Sequence, residues 1–282
     1  MRAITPLELG LVFWAEQNSA GSLGQLKSFG LTAGQLGVPP EFVCKGAVED
    51  WSSGLIAGDF AMTSAVCSYK GEDYADLATI HRSVGFTTPE YRSERIARTK
   101  EVADFGHALG IGAVSCHLGF IPNDPTEKLY VDLRDLTREI CDHCAGNGQN
   151  FVLETGQESA EILLAFIANV ERDNLKVNFD PANMIMYQSG DPMVALEMLS
   201  PHVISVHCKD ATAINVGGGK LGAECRLGDG QVGFPGFLET LKKIGYQGLL
   251  CIEREEPDTA QRTADVHAAV ERLKQWKADA GL

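Results

Sequence analysis

Short apolar runs alternate with longer helical stretches along the whole chain, and no other feature restricts its fold as much. The runs expected to form strands are 7–14, 33–37, 60–69, 113–120, 151–154, 176–180, 203–207 and 249–253. The stretches between them carry helix-start signals. Thr88-Pro89-Glu90 offers a cap, a first-turn proline and a first-turn acid, and Asp191-Pro192 repeats the cap and the proline. Gly110, Gly146 and Gly245 fall where a helix calls for a left-handed residue after its last turn. Eight β/α units in 282 residues match a (β/α)8 barrel, whose usual size is about 250 residues. A doubly wound open sheet would carry a glycine-rich phosphate turn after its first strand. Here Trp14 is followed by Ala15-Glu16-Gln17-Asn18-Ser19-Ala20, so the α/β barrel is favoured. No composition break or polar linker divides it, and one TIM-barrel domain over 1–282 is expected.

One connection stands out. From Ala211 to Phe234 the chain is long and glycine-rich, with glycines at 217, 218, 219, 222, 228, 230 and 233. It follows the seventh strand on the face where barrel active sites lie, so a covering or substrate-binding loop is expected. The eight cysteines are scattered and read as reduced thiols. Cys141 and Cys144 form a CxxC pair around His143, but no second pair completes a zinc site, so they read as buried helical cysteines.

Charge narrows the partners. With 24 Lys+Arg against 38 Asp+Glu the formal net charge is −14, which argues against nucleic acid or an anionic membrane surface as a partner. No run is long and apolar enough to span a bilayer, and the N-terminus lacks the apolar core of a secretory signal. A cytoplasmic enzyme is therefore expected.

The last four predicted strands end alike: Phe-Val-Leu-Glu154, Val-Asn-Phe-Asp180, Ile-Ser-Val-His207 and Leu-Cys-Ile-Glu253. In a barrel these side chains converge at the C-terminal mouth. Three carboxylates that close repel one another and resist leaving water, and a divalent cation relieves both costs. Three oxygen donors and an imidazole suit Mn²⁺ first, with Mg²⁺, Co²⁺ or Zn²⁺ as alternatives. The expected ligands are Glu154, Asp180, His207 and Glu253, with coordination positions left for substrate oxygens. A single acid at a strand end is usually a loop or cap residue, but four consecutive strands repeating the pattern make that reading weak.

The segments Leu153-Glu154-Thr155-Gly156, Asn178-Phe179-Asp180-Pro181-Ala182-Asn183, Val206-His207-Cys208-Lys209-Asp210 and Cys251-Ile252-Glu253 resemble the sugar isomerase/epimerase family with a xylose-isomerase-like barrel. Eight-unit spacing and Gly228-Asp229-Gly230 extend the resemblance to nearly the whole chain. It implies an aldose–ketose isomerase or a ketose 3-epimerase, in which Glu154 and Glu253 both hold the metal and move protons from opposite faces of one substrate carbon. A C–H beside a carbonyl is too weakly acidic for a carboxylate alone, so the metal would stabilise the enediolate.

Five further residues are candidates for substrate binding. His117, at the end of the fourth predicted strand, either touches a substrate hydroxyl or is structural. Lys209 lies on the same strand face as His207 and either polarises a substrate oxygen or pairs with a carboxylate. Glu158 fits a substrate contact or a helix start. Arg226 fits a substrate or phosphate contact, or an exposed loop. Asn183 completes the set and marks a departure from the family pattern, because many members carry Asp-x-x-His where this chain has Asp180-Pro181-Ala182-Asn183. An amide cannot act as a protonated imidazole, which weakens transfer of the 3-epimerase assignment. Asn183, and Gln231 after Asp229, also argue against the related apurinic-site endonucleases, whose trinuclear zinc cluster needs further histidines.

Two other functions compete with the isomerase or epimerase. One is a lyase on the same scaffold, similar to inosose dehydratases, with Lys209 or His117 as acid at the leaving group. The other is a non-catalytic subunit that binds sugar or metal. A small carbohydrate is the expected partner, and family resemblance implies a homo-oligomer, dimer or tetramer.

Overall fold

A computed structural model describes residues 1–214 and 221–282. The strands are β1 (Leu9–Trp14), β2 (Ala33–Val38), β3 (Ala61–Cys67), β4 (Ala113–Cys116), β5 (Asn150–Glu154), β6 (Leu175–Phe179), β7 (Val203–Cys208), β8 (Asp210–Thr212), β9 (Ala223–Cys225) and β10 (Leu250–Ile252). The helices are α1 (Ser19–Ser28), α2 (Val48–Ala57), α3 (Leu77–Ser83), α4 (Pro89–Ala108), α5 (Lys128–Gly146), α6 (Ala160–Val170), α7 (Pro181–Tyr187), α8 (Pro192–Leu199), α9 (Phe234–Lys243) and α10 (Thr259–Ala280). Eight strands close into a barrel in the order β1-β2-β3-β4-β5-β6-β7-β10, with β10 returning to β1. Its neighbouring pairs are parallel. The expected (β/α)8 barrel is therefore the fold.

Helices cover the barrel with one apolar face each. On α5, Leu133, Leu136, Ile140 and Cys144 recur at helical spacing and are buried. Inside the barrel the packing is partly polar. Gln35 on β2 donates to Asn178 Oδ1 on β6 at 3.2 Å, and Ser205 Oγ on β7 donates to the same oxygen at 2.6 Å. Because β2 and β6 are not neighbours, the first of these bonds crosses the barrel interior. This polar layer adjoins the His207 ring at Nε2.

Several boundaries move. The fourth strand stops at Cys116 and the third at Cys67, each short of the sequence expectation. Glu253 lies one residue beyond β10, and Asp180 lies outside β6 as the N-cap of α7, its side chain accepting from Asn183 N–H. Gly146 remains inside α5, and the left-handed residue there is Gly148, whereas Gly110 and Gly245 do adopt positive φ. Of the 211–234 connection, Ala211–Thr212 and Ala223–Cys225 pair as an antiparallel ribbon. Glycines 217–219 lie outside the described residues. All eight cysteines are free, and Cys141 and Cys144 are buried on α5, where burial pushes both thiols up to about 12. Among the described residues, no helix is long and apolar enough to cross a membrane.

Asp191 caps α8 through bonds from Met193 N–H at 2.8 Å and Val194 N–H at 3.1 Å, whereas Asn18, at the same position of α1, makes no side-chain cap bond. Asp191→Ala is expected to lower unfolding free energy by about 0.5–2 kcal/mol in a denaturant titration, and Asn18→Ala by less. Equal effects would contradict the capping geometry.

Candidate metal centre

The four strand-end residues come together because β5, β6, β7 and β10 are consecutive around the barrel. One ligand-capable atom from each of Glu154, Asp180, His207 and Glu253 lies within 4.8 Å of the others. His207 Nδ1 is at the centre, 3.1 Å from Glu253 Oε2, 3.4 Å from Glu154 Oε1 and 3.5 Å from Asp180 Oδ2. Its other nitrogen, Nε2, lies 2.9 Å from both Gln35 Oε1 and the Asn178 amide nitrogen. An Nε2–H donated to Gln35 leaves the Nδ1 lone pair aimed at the acids, which is the form a metal ligand needs.

Two orphaned atoms test the fit. His207 Nδ1 and Asp180 Oδ2 are buried without a hydrogen-bond partner among the described residues. In the neutral imidazole and the ionised carboxylate both carry lone pairs, and unsatisfied buried polar atoms of this kind are costly. Asp180 uses its other oxygen, Oδ1, to accept from Asn183 N–H at 2.9 Å, so only Oδ2 points into the cluster. With the three acids ionised and His207 neutral, as metal ligands would be, the Lys209 ammonium offsets one carboxylate and two negative charges remain. A divalent cation matches the geometry, the donor types and the charge.

Burial opposes ionisation throughout this cluster, and neighbouring charge decides which groups ionise nonetheless. Burial works against a charge on His207, yet Glu253 and Glu154 hold it well above the ordinary imidazole range. Burial also raises Glu253, but His207 and Lys209 bring it well below the usual carboxylate range. Glu154 is lowered against the same burial by His207 and His117. Asp180, fully buried, is raised.

The remaining predicted residues divide. Lys209, 3% exposed, bridges Glu253 Oε2 and Glu255 Oε2 at 3.0 Å each, with Asp180 Oδ2 at 3.9 Å. Asn183 donates to Glu154 Oε1 at 2.9 Å, so the amide in place of a histidine orients a carboxylate of the cluster. His117 Nε2 lies 3.8 Å from the same oxygen. These residues line a cavity of about 390 Å³ over the cluster, to which Glu154 and Glu253 contribute while Asp180 and His207 lie beneath it. Glu158 and Arg226 do not line this cavity. Glu158 is buried just before the N-cap of α6. Arg226 Nε lies 3.1 Å from Asp265 Oδ1 on α10 and its side chain is half exposed.

Other lining residues escaped the sequence reading. Glu72 and Tyr74 follow β3 on a loop, where no strand-end pattern marks them. Glu72 accepts from Tyr69 N–H and Gly85 N–H at 3.1 and 2.9 Å, which pins the loop against the cavity. Asp210, the last residue of the His-x-Lys-Asp segment, accepts from the N–H groups of Ala211, Gly228, Gly230 and Val232 at 2.9–3.1 Å. A Cβ on Gly230 would fall 2.2 Å from Asp210 Oδ1, so the clamp requires the glycine.

Burial pushes the Glu158 carboxyl up to about 8. The folded chain then keeps a proton that the unfolded chain releases near pH 4.5, so this group's contribution to stability is full below that pH and lost as pH rises through 8. Glu158→Gln is expected to remove that slope and to gain on the order of a few kcal/mol over the parent at pH 9. Parallel pH–stability profiles for the two proteins would contradict it.

Comparison with known proteins agrees with the architecture. A family model described as "Xylose isomerase-like TIM barrel" matches residues 50–276. The uncharacterized protein YihM of Escherichia coli strain K12 is 30% identical over 172 residues, which is 58% of this chain but only 48% of that protein. The solved structure of a xylose isomerase domain protein from Planctomyces limnophilus superposes with a TM-score of 0.91 at 35% identity, covering 98% of this chain and 99% of the other. A D-allulose 3-epimerase from Methylomonas sp. shares the fold at a TM-score of 0.69 and 18% identity, covering 98% and 100%. By its barrel and by the family model that spans most of its length, the chain belongs to the xylose isomerase-like TIM barrel family.

Proposed function

We propose that this protein is a divalent-metal-dependent isomerase or epimerase of a small sugar or sugar derivative, with Glu154 and Glu253 as its two proton-transferring groups. The observation that carries the reading is the division of the cluster: Glu154 and Glu253 reach the cavity, while Asp180 and His207 are fully buried below it. Four residues would hold the ion, and only two of them also line the cavity that a substrate would enter. When bound, a divalent cation supplies Lewis-acid stabilisation for negative charge developing on adjacent substrate oxygens. Glu154 is oriented by Asn183 and flanked by His117, and Glu253 is tied to Lys209. Each carboxylate therefore has its own partner to fix its direction and temper its charge. One removes the proton beside the carbonyl, and the other returns a proton to the opposite face or the neighbouring carbon. Lys209 and His117 hold substrate hydroxyls at the rim. Similarity in fold to a D-allulose 3-epimerase supports the reaction class. Mn²⁺ is the first choice of metal, given three carboxylates and one imidazole.

Solvent-deuterium incorporation into a panel of ketoses, aldoses and cyclitols, with Mn²⁺ supplied, tests the reading. Exchange without loss of water is expected, with Glu154→Gln and Glu253→Gln each lowering kcat by about 10²-fold or more, as for loss of a general base. Full turnover in both variants would refute the two-base scheme, and loss of water in place of exchange would make the enzyme a lyase.

Metal binding is also expected to depend on pH in one direction. With His207 raised above its ordinary value, Mn²⁺ must displace a proton near pH 7, so affinity rises with pH until the imidazole is neutral. Calorimetric titrations in buffers of different ionisation enthalpy should show proton release on Mn²⁺ binding. Absence of release, or affinity that falls as pH rises, would contradict this ligand set.

A further inference from the structure

Trp14 ends β1 and is 49% exposed, an unusual place for the largest apolar side chain. Its position is fixed from below. In the parallel pairing of β1 with β2, Trp14 is opposite Gly37. A Cβ on Gly37 would fall 2.6 Å from Trp14 Cε3 and 2.7 Å from Cδ2, so the indole lies directly on the glycine backbone. One ring face is thus seated on β2, and the seat is set by a residue with no side chain.

The indole also stands between two cavities. The first is the 390 Å³ cavity over the metal cluster. The second, of about 570 Å³, runs from the barrel rim over β1 between α1 and α10. Trp14, Glu253 and Glu255 line both. The first volume is near the low end of the ~300–1,000 Å³ typical of ligand sites. Beyond Trp14, the second cavity is edged by Glu16, Glu41 and Arg262, groups suited to hydroxyls. An aromatic face next to polar side chains is matched by a pyranose ring, which has apolar C–H faces and a hydroxylated edge.

We propose that the substrate is longer than a monosaccharide: a glycoside or disaccharide whose reacting ring sits over the metal cluster and whose second ring stacks on Trp14 and extends into the cavity between α1 and α10. This rests on the carbohydrate reading of the central site. Trp14 is then a specificity-determining residue that touches the distal ring and takes no part in proton transfer.

The test is calorimetric titration of the Mn²⁺-loaded protein with D-glucose and D-galactose against cellobiose, maltose and lactose. At least one disaccharide is expected to bind tenfold or more tightly than either monosaccharide. Trp14→Ala should erase that advantage while leaving Mn²⁺ affinity within twofold, and Trp14→Phe should retain most of it. Preserved metal affinity also shows that the alanine variant is folded. If monosaccharides bind or exchange deuterium and no disaccharide binds more tightly, or if the advantage survives in Trp14→Ala, this inference is wrong and the central reading stands. If no sugar of either length binds or exchanges, the carbohydrate reading fails with it.

Discussion

Three carboxylates are held around one buried imidazole nitrogen at the mouth of the barrel, and the surrounding structure is arranged to make that tolerable. Unpaired, such a group of acids would take up protons or pull the strand ends apart, because burial and like charge act in the same direction. Here Lys209 supplies one positive charge at 3.0 Å from Glu253, and His207 sits between all three acids. The residue behind His207 matters as much as those in front. Gln35 Oε1 accepts the hydrogen of its far nitrogen, so the near one is left facing the acids. The polar layer inside the barrel thus orients the imidazole.

The loops extend the same logic. Thr155 Oγ1 accepts from Asp180 N–H at 2.8 Å and donates to Asp180 O at 3.1 Å, which locks the ends of β5 and β6 together. Asp210 gathers four backbone N–H groups and folds the segment around 228–232 back onto the end of β7. Arg254 lies 3.1 Å from Glu224 and 2.9 Å from Asp265, tying the ribbon of β8 and β9 to α10. In His-x-Lys-Asp, three chemically different side chains therefore do three jobs: one turns to the cluster, one neutralises it, and one closes the loop beside it.

Much of this was legible in the chain, for reasons that differ by residue. Glu154, Asp180, His207 and Glu253 could be read because each follows an apolar strand run, and a barrel brings successive strand ends to one rim. Asn183 was legible as a departure from a family pattern, but its donation to Glu154 was not, since it depends on how α7 leaves its cap. Glu72, Tyr74 and Trp14 carried no signal. Their places depend on a loop pinned by two backbone N–H groups and on a glycine of the neighbouring strand, and neither is encoded nearby in sequence.

By itself, the sequence determined the barrel and which four side chains would reach its mouth, because strand and helix periodicities and strand-end positions are local properties of the chain. Tertiary structure decided the rest. It placed Glu154 and Glu253 in the cavity and Asp180 and His207 beneath it, tied Lys209 to Glu253 and Glu255, and turned Arg226 toward Asp265 instead of the cavity. Those outcomes depend on distances between residues far apart in the chain. Burial and charge act through space, and only the closed barrel sets those spacings.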